Sequence, residues 1–119
     1  MSQSINLYKQ LAKHKLFNKS VNFNLNRIRL ALDLLGRPER KLKNVISVLG
    51  ESGKFTTLFT LKSFIEANKQ KVTTHISPSL RDIRERFYMG DRYLSHKEIK
   101  RTIKQIEKLN IPLTVFECL

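Results

Sequence analysis

The residues of this chain best suited to chemistry stand together in Gly50-Glu-Ser-Gly-Lys-Phe-Thr56. Two glycines let a backbone turn tightly and expose its amides, and a lysine directly after the second adds a mobile positive charge. Where such a turn joins a strand to a helix, free amides and the positive end of the helix dipole converge on one concavity. That suits a phosphate group. Lys54 would then address the β- and γ-phosphates of a nucleotide, and the hydroxyl of Thr56 or Thr57 the phosphates or a Mg²⁺. The common P-loop pattern needs a further glycine where Val48 stands, so this is the shorter form G-x-x-G-K-x-[ST]. The alternative is an ordinary turn into a helix that begins with lysine.

Other chemistry-bearing residues are scattered. Ser77 precedes Pro78 and could simply shape a turn; Glu117 follows an apolar run and could be a catalytic carboxylate at a strand end or a solvated one. Arg81, Arg84, Arg86 and Arg92 could steer an anion or solvate a loop. His14, His75 and His96 show no metal-ligand spacing. The single cysteine, Cys118, cannot form an internal disulfide or a cysteine metal site, and beside apolar residues it reads as structural.

The elements that must position these groups follow from periodicity. Ile5–His14 reads as a short helix, Asn18–Phe23 as a loop, and Asn24 as the cap of a second helix. Leu25, Ile28, Leu32 and Leu35 line one side of that helix, and Gly36 and Pro38 stop it. Arg37–Lys43 reads as a charged linker. Val45–Leu49 is a short β-branched run and reads as a buried strand, Lys54–Asn68 as a helix, and Val72–Ile76 as a second strand. Residues 77–94 lack sustained periodicity and read as an Arg-rich loop with one helical turn. Ser95-His-Lys-Glu98 fits a capping box opening a helix whose Ile99, Ile103 and Ile106 face the core, with Lys97, Arg101, Lys104 and Lys108 outside. Leu113–Phe116 reads as a third strand. This order implies an α/β fold: a partial P-loop-type, mostly parallel sheet of about three strands, with crossover helices and two N-terminal helices. Residues 1–43 form the helical N-terminal segment and 44–119 the glycine-loop α/β portion.

The bulk numbers set bounds. At 119 residues the chain suits one domain, and 40% hydrophobic with 28% charged residues is a globular profile. No apolar run approaches the ~20 residues needed to span a bilayer, and Met1–Gln10 has no signal-peptide core. These features lead us to expect a cytoplasmic monomer with no membrane association. Lys and Arg total 23 against 10 acidic residues, a net charge of +13. Such a field attracts polyanions, from nucleic acid to phosphorylated or polycarboxylate small molecules, or reflects lysine-rich solvated faces.

In their order, these motifs resemble the N-terminal part of the folylpolyglutamate synthases and bifunctional dihydrofolate synthases of the Mur ligase superfamily. Leu25-Asn-Arg27-Ile28 through Leu35-Gly36-Arg-Pro38 resembles the family's first helix, and Gly50, Gly53, Lys54 and Thr56 fall on its G-T-N-G-K-G-S loop. Ser77-Pro78-Ser-Leu80 with Arg84-Glu85-Arg86-Phe87 is similar to S-P-H-L and E-R-I, and Leu113-Thr-Val-Phe-Glu117 to L-T-x-F-E. The resemblance runs from about Lys19 to Glu117. It implies an ATP-dependent ligase that joins glutamate to folate or dihydropteroate through an acyl phosphate, in one-carbon metabolism. Loop amides, lysine and Mg²⁺ would neutralise the passing phosphoryl group. On the family pattern Gly50, Glu51, Ser52, Gly53, Lys54, Phe55 and Thr56 bind the ATP phosphates, with Lys54 catalytic. Ser77 and Glu117 hold Mg²⁺, and Pro78, Arg84 and Arg86 belong to the substrate loop.

The chain departs from the family at Glu51, a carboxylate near phosphate, at Phe55, where the family has glycine, and at Ser79, where it has histidine. The family's later metal and nucleotide-base groups and its C-terminal domain would lie past Glu117. We therefore expect a fragment that does not run the whole reaction alone. Two other readings stand beside it: a small basic nucleic-acid-binding or scaffold protein that has repurposed the fold, and a non-enzymatic nucleotide-binding module completed by a partner chain. Net charge alone leads us to expect weak, sequence-insensitive nucleic-acid binding, and sequence-selective binding would favour the first of these.

Overall fold

The structure, a computed structural model, describes Lys9, Lys13 and residues 24–119. Helix α1 runs Asn26–Leu34, α2 Lys54–Ala67, α3 His96–Glu107 and α4 Val115–Cys118; strands β1, Thr73–His75, and β2, Phe87–Met89, form the one sheet among these residues. Short 3₁₀ turns occupy Pro38–Lys41 and Ile83–Arg86. The chain divides into two compact units, one of Asn44–Ser95 and one of the described residues up to Lys43 together with His96–Leu119.

In the second of these units, α1 ends as its sequence dictates, and Leu25 fills its cap position, one residue past the expected Asn24. The Asn24 side chain accepts the Asn26 amide at 2.8 Å, and Gly36 at φ 77° lets Arg37 donate its amide to the Leu32 carbonyl at 2.8 Å. Its buried position is Ala31; Leu25 and Leu35, two of the four residues expected to line the inner side, are exposed. Helix α3 starts directly after Ser95 and buries Ile99 and Ile103, which with Ala31, Ile111 and Leu113 make the unit's core. The expected helix at Ile5–His14 lies outside the described residues except for Lys9 and Lys13, which are helical, and Asn18–Phe23 lies outside them altogether.

No parallel sheet forms among the described residues, and the α/β expectation is corrected. Val45–Leu49 takes no strand conformation, and Val45, Ile46 and Leu49 are exposed. A parallel strand needs hydrogen-bonding neighbours and cover on both faces. The residues that would have neighboured it are committed elsewhere, because β1 pairs antiparallel with β2 in the register Thr73↔Met89, Thr74↔Tyr88, His75↔Phe87. β2 falls where a loop was expected. Its missed signal is Gly90, at φ 90°, which turns the chain back so that Met89 donates its amide to Arg92 and Leu94 donates to Phe87. The expected helical turn in that stretch is Ile83–Arg86.

Leu113–Phe116 is not a strand either. Thr114 instead caps α4 in a capping box: its hydroxyl accepts the Glu117 amide at 3.1 Å, while the Glu117 carboxylate accepts the Thr114 amide at 2.7 Å. Thr-x-x-Glu is a helix-start signature, and locally it overrides the β-propensity of Thr-Val-Phe.

Candidate functional site

The glycine loop leads directly into α2, with Lys54 as its first residue. Gly53 occupies the cap position at φ 76°, a left-handed conformation that a side chain there would strain. The Lys54 ammonium is turned back onto the loop, donating to the Gly50 carbonyl at 2.5 Å and the Glu51 carbonyl at 2.8 Å. Glu51, Ser52 and Thr56 are exposed, and Phe55 is half-buried.

Lys54, Phe55, His75 and Ser77 line one small cavity of about 60 Å³, together with Val48, Leu58 and Ile76. Two residues expected from separate motifs to serve phosphate and metal, Lys54 and Ser77, thus meet at one place. The cavity is well below the ~300 Å³ at which pockets begin to enclose a drug-sized molecule, and is of the scale of one small anion. A second cleft, of about 360 Å³, shares Phe55 and Ile76 with the first and adds Phe59, Leu80, Arg81, Glu85 and Tyr93. The Phe55 and Phe59 rings lie one helical turn apart with centroids 6.5 Å apart. Glu85 shapes the rim by accepting the Leu80 amide at 2.7 Å and the Arg81 amide at 3.2 Å. Phe59 and Tyr93 are not singled out in the sequence, and Leu80 and Glu85 enter there only within the resembling motifs; the aromatic pair at i, i+4 is a signal for Phe59 alone.

The substrate-loop residues hold their own loop together. Arg84 pairs with Asp82 at 3.0 Å, and that hydrogen bond raises the guanidinium's affinity for its proton. Arg86 is buried and donates to the Ser77 hydroxyl at 3.2 Å, and Pro78 follows Ser77. Farther along α2, Lys62 donates to Glu66 at 2.7 Å and sits 4.2 Å over the Tyr88 ring, while the Tyr88 hydroxyl donates to Glu66 at 3.2 Å. The Lys62 bond holds the Glu66 carboxyl below its ordinary range.

Glu117 belongs to the other unit, where its carboxylate pairs with Arg27 at 3.2 Å besides accepting the Thr114 amide. Mg²⁺ prefers water, carboxylate and phosphate oxygens. Ser77 offers one hydroxyl, already accepting from Arg86, and Glu117 is engaged in its cap and ion pair, so these residues do not fit a metal here. Among the described residues no group of three His, Cys, Asp or Glu could hold a metal ion. Beside Glu117, burial pushes the Cys118 thiol up to about 12, and the charges of Glu117 and Glu107 add to the effect. No helix among the described residues is long and apolar enough to cross a membrane.

No protein-family model, curated protein or solved structure matches the chain.

Proposed function

We propose that this chain is the N-terminal part of an ATP-dependent ligase of the folylpolyglutamate synthase kind, and that Asn44–Ser95 handles the phosphate and the flat ring of its substrates. The observation that carries this reading is the shared wall of the two cavities. Lys54, the residue after the glycine loop, and Ser77 line the smaller cavity, and it abuts an aromatic cleft through Phe55 and Ile76. Phosphoryl transfer to a pteroate or folate carboxylate needs that carboxylate against the γ-phosphate, and a nearby apolar wall can hold the planar part of the same molecule. The order of the motifs along the sequence supports the same assignment independently of the sheet, which the structure replaces.

In this scheme Lys54 supplies charge to the phosphate by leaving the Gly50 and Glu51 carbonyls, and Phe55, Phe59 and Tyr93 offer ring faces to the pterin. Arg81 stands at the rim for its carboxylate side. Glu51 opposes the phosphate by like charge.

Isothermal titration with ATP tests the assignment. Lys54→Ala should weaken binding by about 1–3 kcal/mol, the range for a charge-assisted hydrogen bond. Glu51→Thr should strengthen it. Unchanged affinity in Lys54→Ala would remove the loop from the function.

A further inference from the structure

The outer face of α3 carries cations in a pattern that the ligase reading does not use. Lys97, Lys100, Arg101, Lys104 and Lys108 fall at i, i+3, i+4, i+7 and i+11, the last one residue past the helix end, and all five are exposed. At 100° per residue they occupy an arc of about 100°, well away from buried Ile99 and Ile103. Among the described residues none of the five has an acidic partner. Like charges at i, i+4 destabilise a helix by about 0.2–0.5 kcal/mol per pair, so the pattern works against the helix that displays it. The helix's own acids, Glu98 and Glu107, are half-buried and flank the stripe without interrupting it.

We infer that this stripe is a docking surface for the phosphate backbone of nucleic acid. It is open along its length, about 16 Å at 1.5 Å per residue, so it suits a rod with repeating charge and not an enclosed small anion. One duplex strand presents a phosphate every ~3.4 Å, or about five over that length, equal to the number of cations. The net charge of +13 adds long-range attraction of the same sign. Backbone contacts carry no base information, so binding is insensitive to sequence.

The test is fluorescence anisotropy of a labelled mixed-sequence duplex against the full chain, titrated from about 50 to 200 mM salt. Five contacts predict a log–log salt slope of about −4.5, and Lys100→Gln with Lys104→Gln should reduce its magnitude by about 1.8. At about 100 mM salt the pair should also weaken binding by about ten- to a hundredfold. The control is Lys69→Gln with Lys71→Gln, which removes equal charge from exposed sites of the other unit. It should change affinity by less than about twofold. Circular dichroism checks that both double variants remain helical. Equal losses in the two would assign binding to net charge alone and overturn the stripe. So would an unchanged slope, selectivity among duplex sequences, or binding to anionic phospholipid vesicles without binding to duplex.

Discussion

Helices α2 and α3 are close in length, 14 and 12 residues, and α2 is much the more apolar, yet α3 is the better buried. Helix α3 keeps its isoleucines in a narrow arc, and Ile99 and Ile103 are only 4% and 6% exposed. Helix α2 spreads Phe55, Leu58, Phe59, Leu61, Phe64 and Ile65 over more than half its circumference, and none of its residues is buried. Burial follows contrast between faces, not apolar content. A wide apolar arc needs neighbours on several sides, and in Asn44–Ser95 the buried residues are Thr74, Ile83 and Arg86. The apolar surface left over on α2 is what builds the aromatic cleft. One helix buries its hydrophobicity in a core, and the other leaves part of it on the wall of a cleft.

Substitution can break or sharpen this contrast. The largest effect is expected at Ile103→Ala, which should cost about 2–4 kcal/mol in urea unfolding by leaving a cavity in a packed core. Phe64, 67% exposed, should change stability by less than about 0.5 kcal/mol as Phe64→Ala. Similar costs at the two sites would erase the distinction between the helices.

A smaller loss, about 1–2 kcal/mol, is expected for Glu117→Ala, which removes both the reciprocal cap of α4 and the Arg27 pair. Glu117→Gln retains the cap and should cost under about 1 kcal/mol. A loss in Gln as large as in Ala would make the ion pair the dominant contact.

The smallest effect belongs to the half-buried Lys62–Glu66 pair. Because Lys62 lowers the Glu66 proton affinity in the folded chain, the pair contributes at neutral pH. Its contribution is lost as pH falls through the lowered value. Glu66→Gln should flatten the acid limb of the stability profile; an identical limb would remove Glu66 from it.

The same contrast explains which parts of the fold the sequence discloses. The stop of α1 and, to within one residue, its start, the extents of α2 and α3, and the inward Ile99 and Ile103 are local matters of capping and periodicity, and Asn24, Gly36 and the isoleucines announce them. The sheet is not local. Val45–Leu49 has the composition of a buried strand, but a strand exists only through its neighbours, and β1 took β2 instead. Thr114-x-x-Glu117 carries a capping-box signature and β-propensity at once, and the two local hydrogen bonds decide for the helix. For the candidate site, Gly53, Lys54 and Ser77 were visible as types and spacing. Phe59, Leu80, Glu85 and Tyr93 became neighbours only through the turn at Ile83–Arg86 and the reversal at Gly90.

The half-buried thiol of Cys118 gives the chain a clock. It is the sole cysteine, and burial keeps it protonated far above neutral pH while its amide donates to the Thr114 carbonyl at 3.1 Å. Thiolate is the species that reacts with alkylating reagents, so at pH 8 the closed chain should be almost inert, and labelling should proceed through openings of α4. The labelling rate then counts those openings one molecule at a time. Any variant that loosens the Thr114–Glu117 cap should run the clock faster without touching the sulfur.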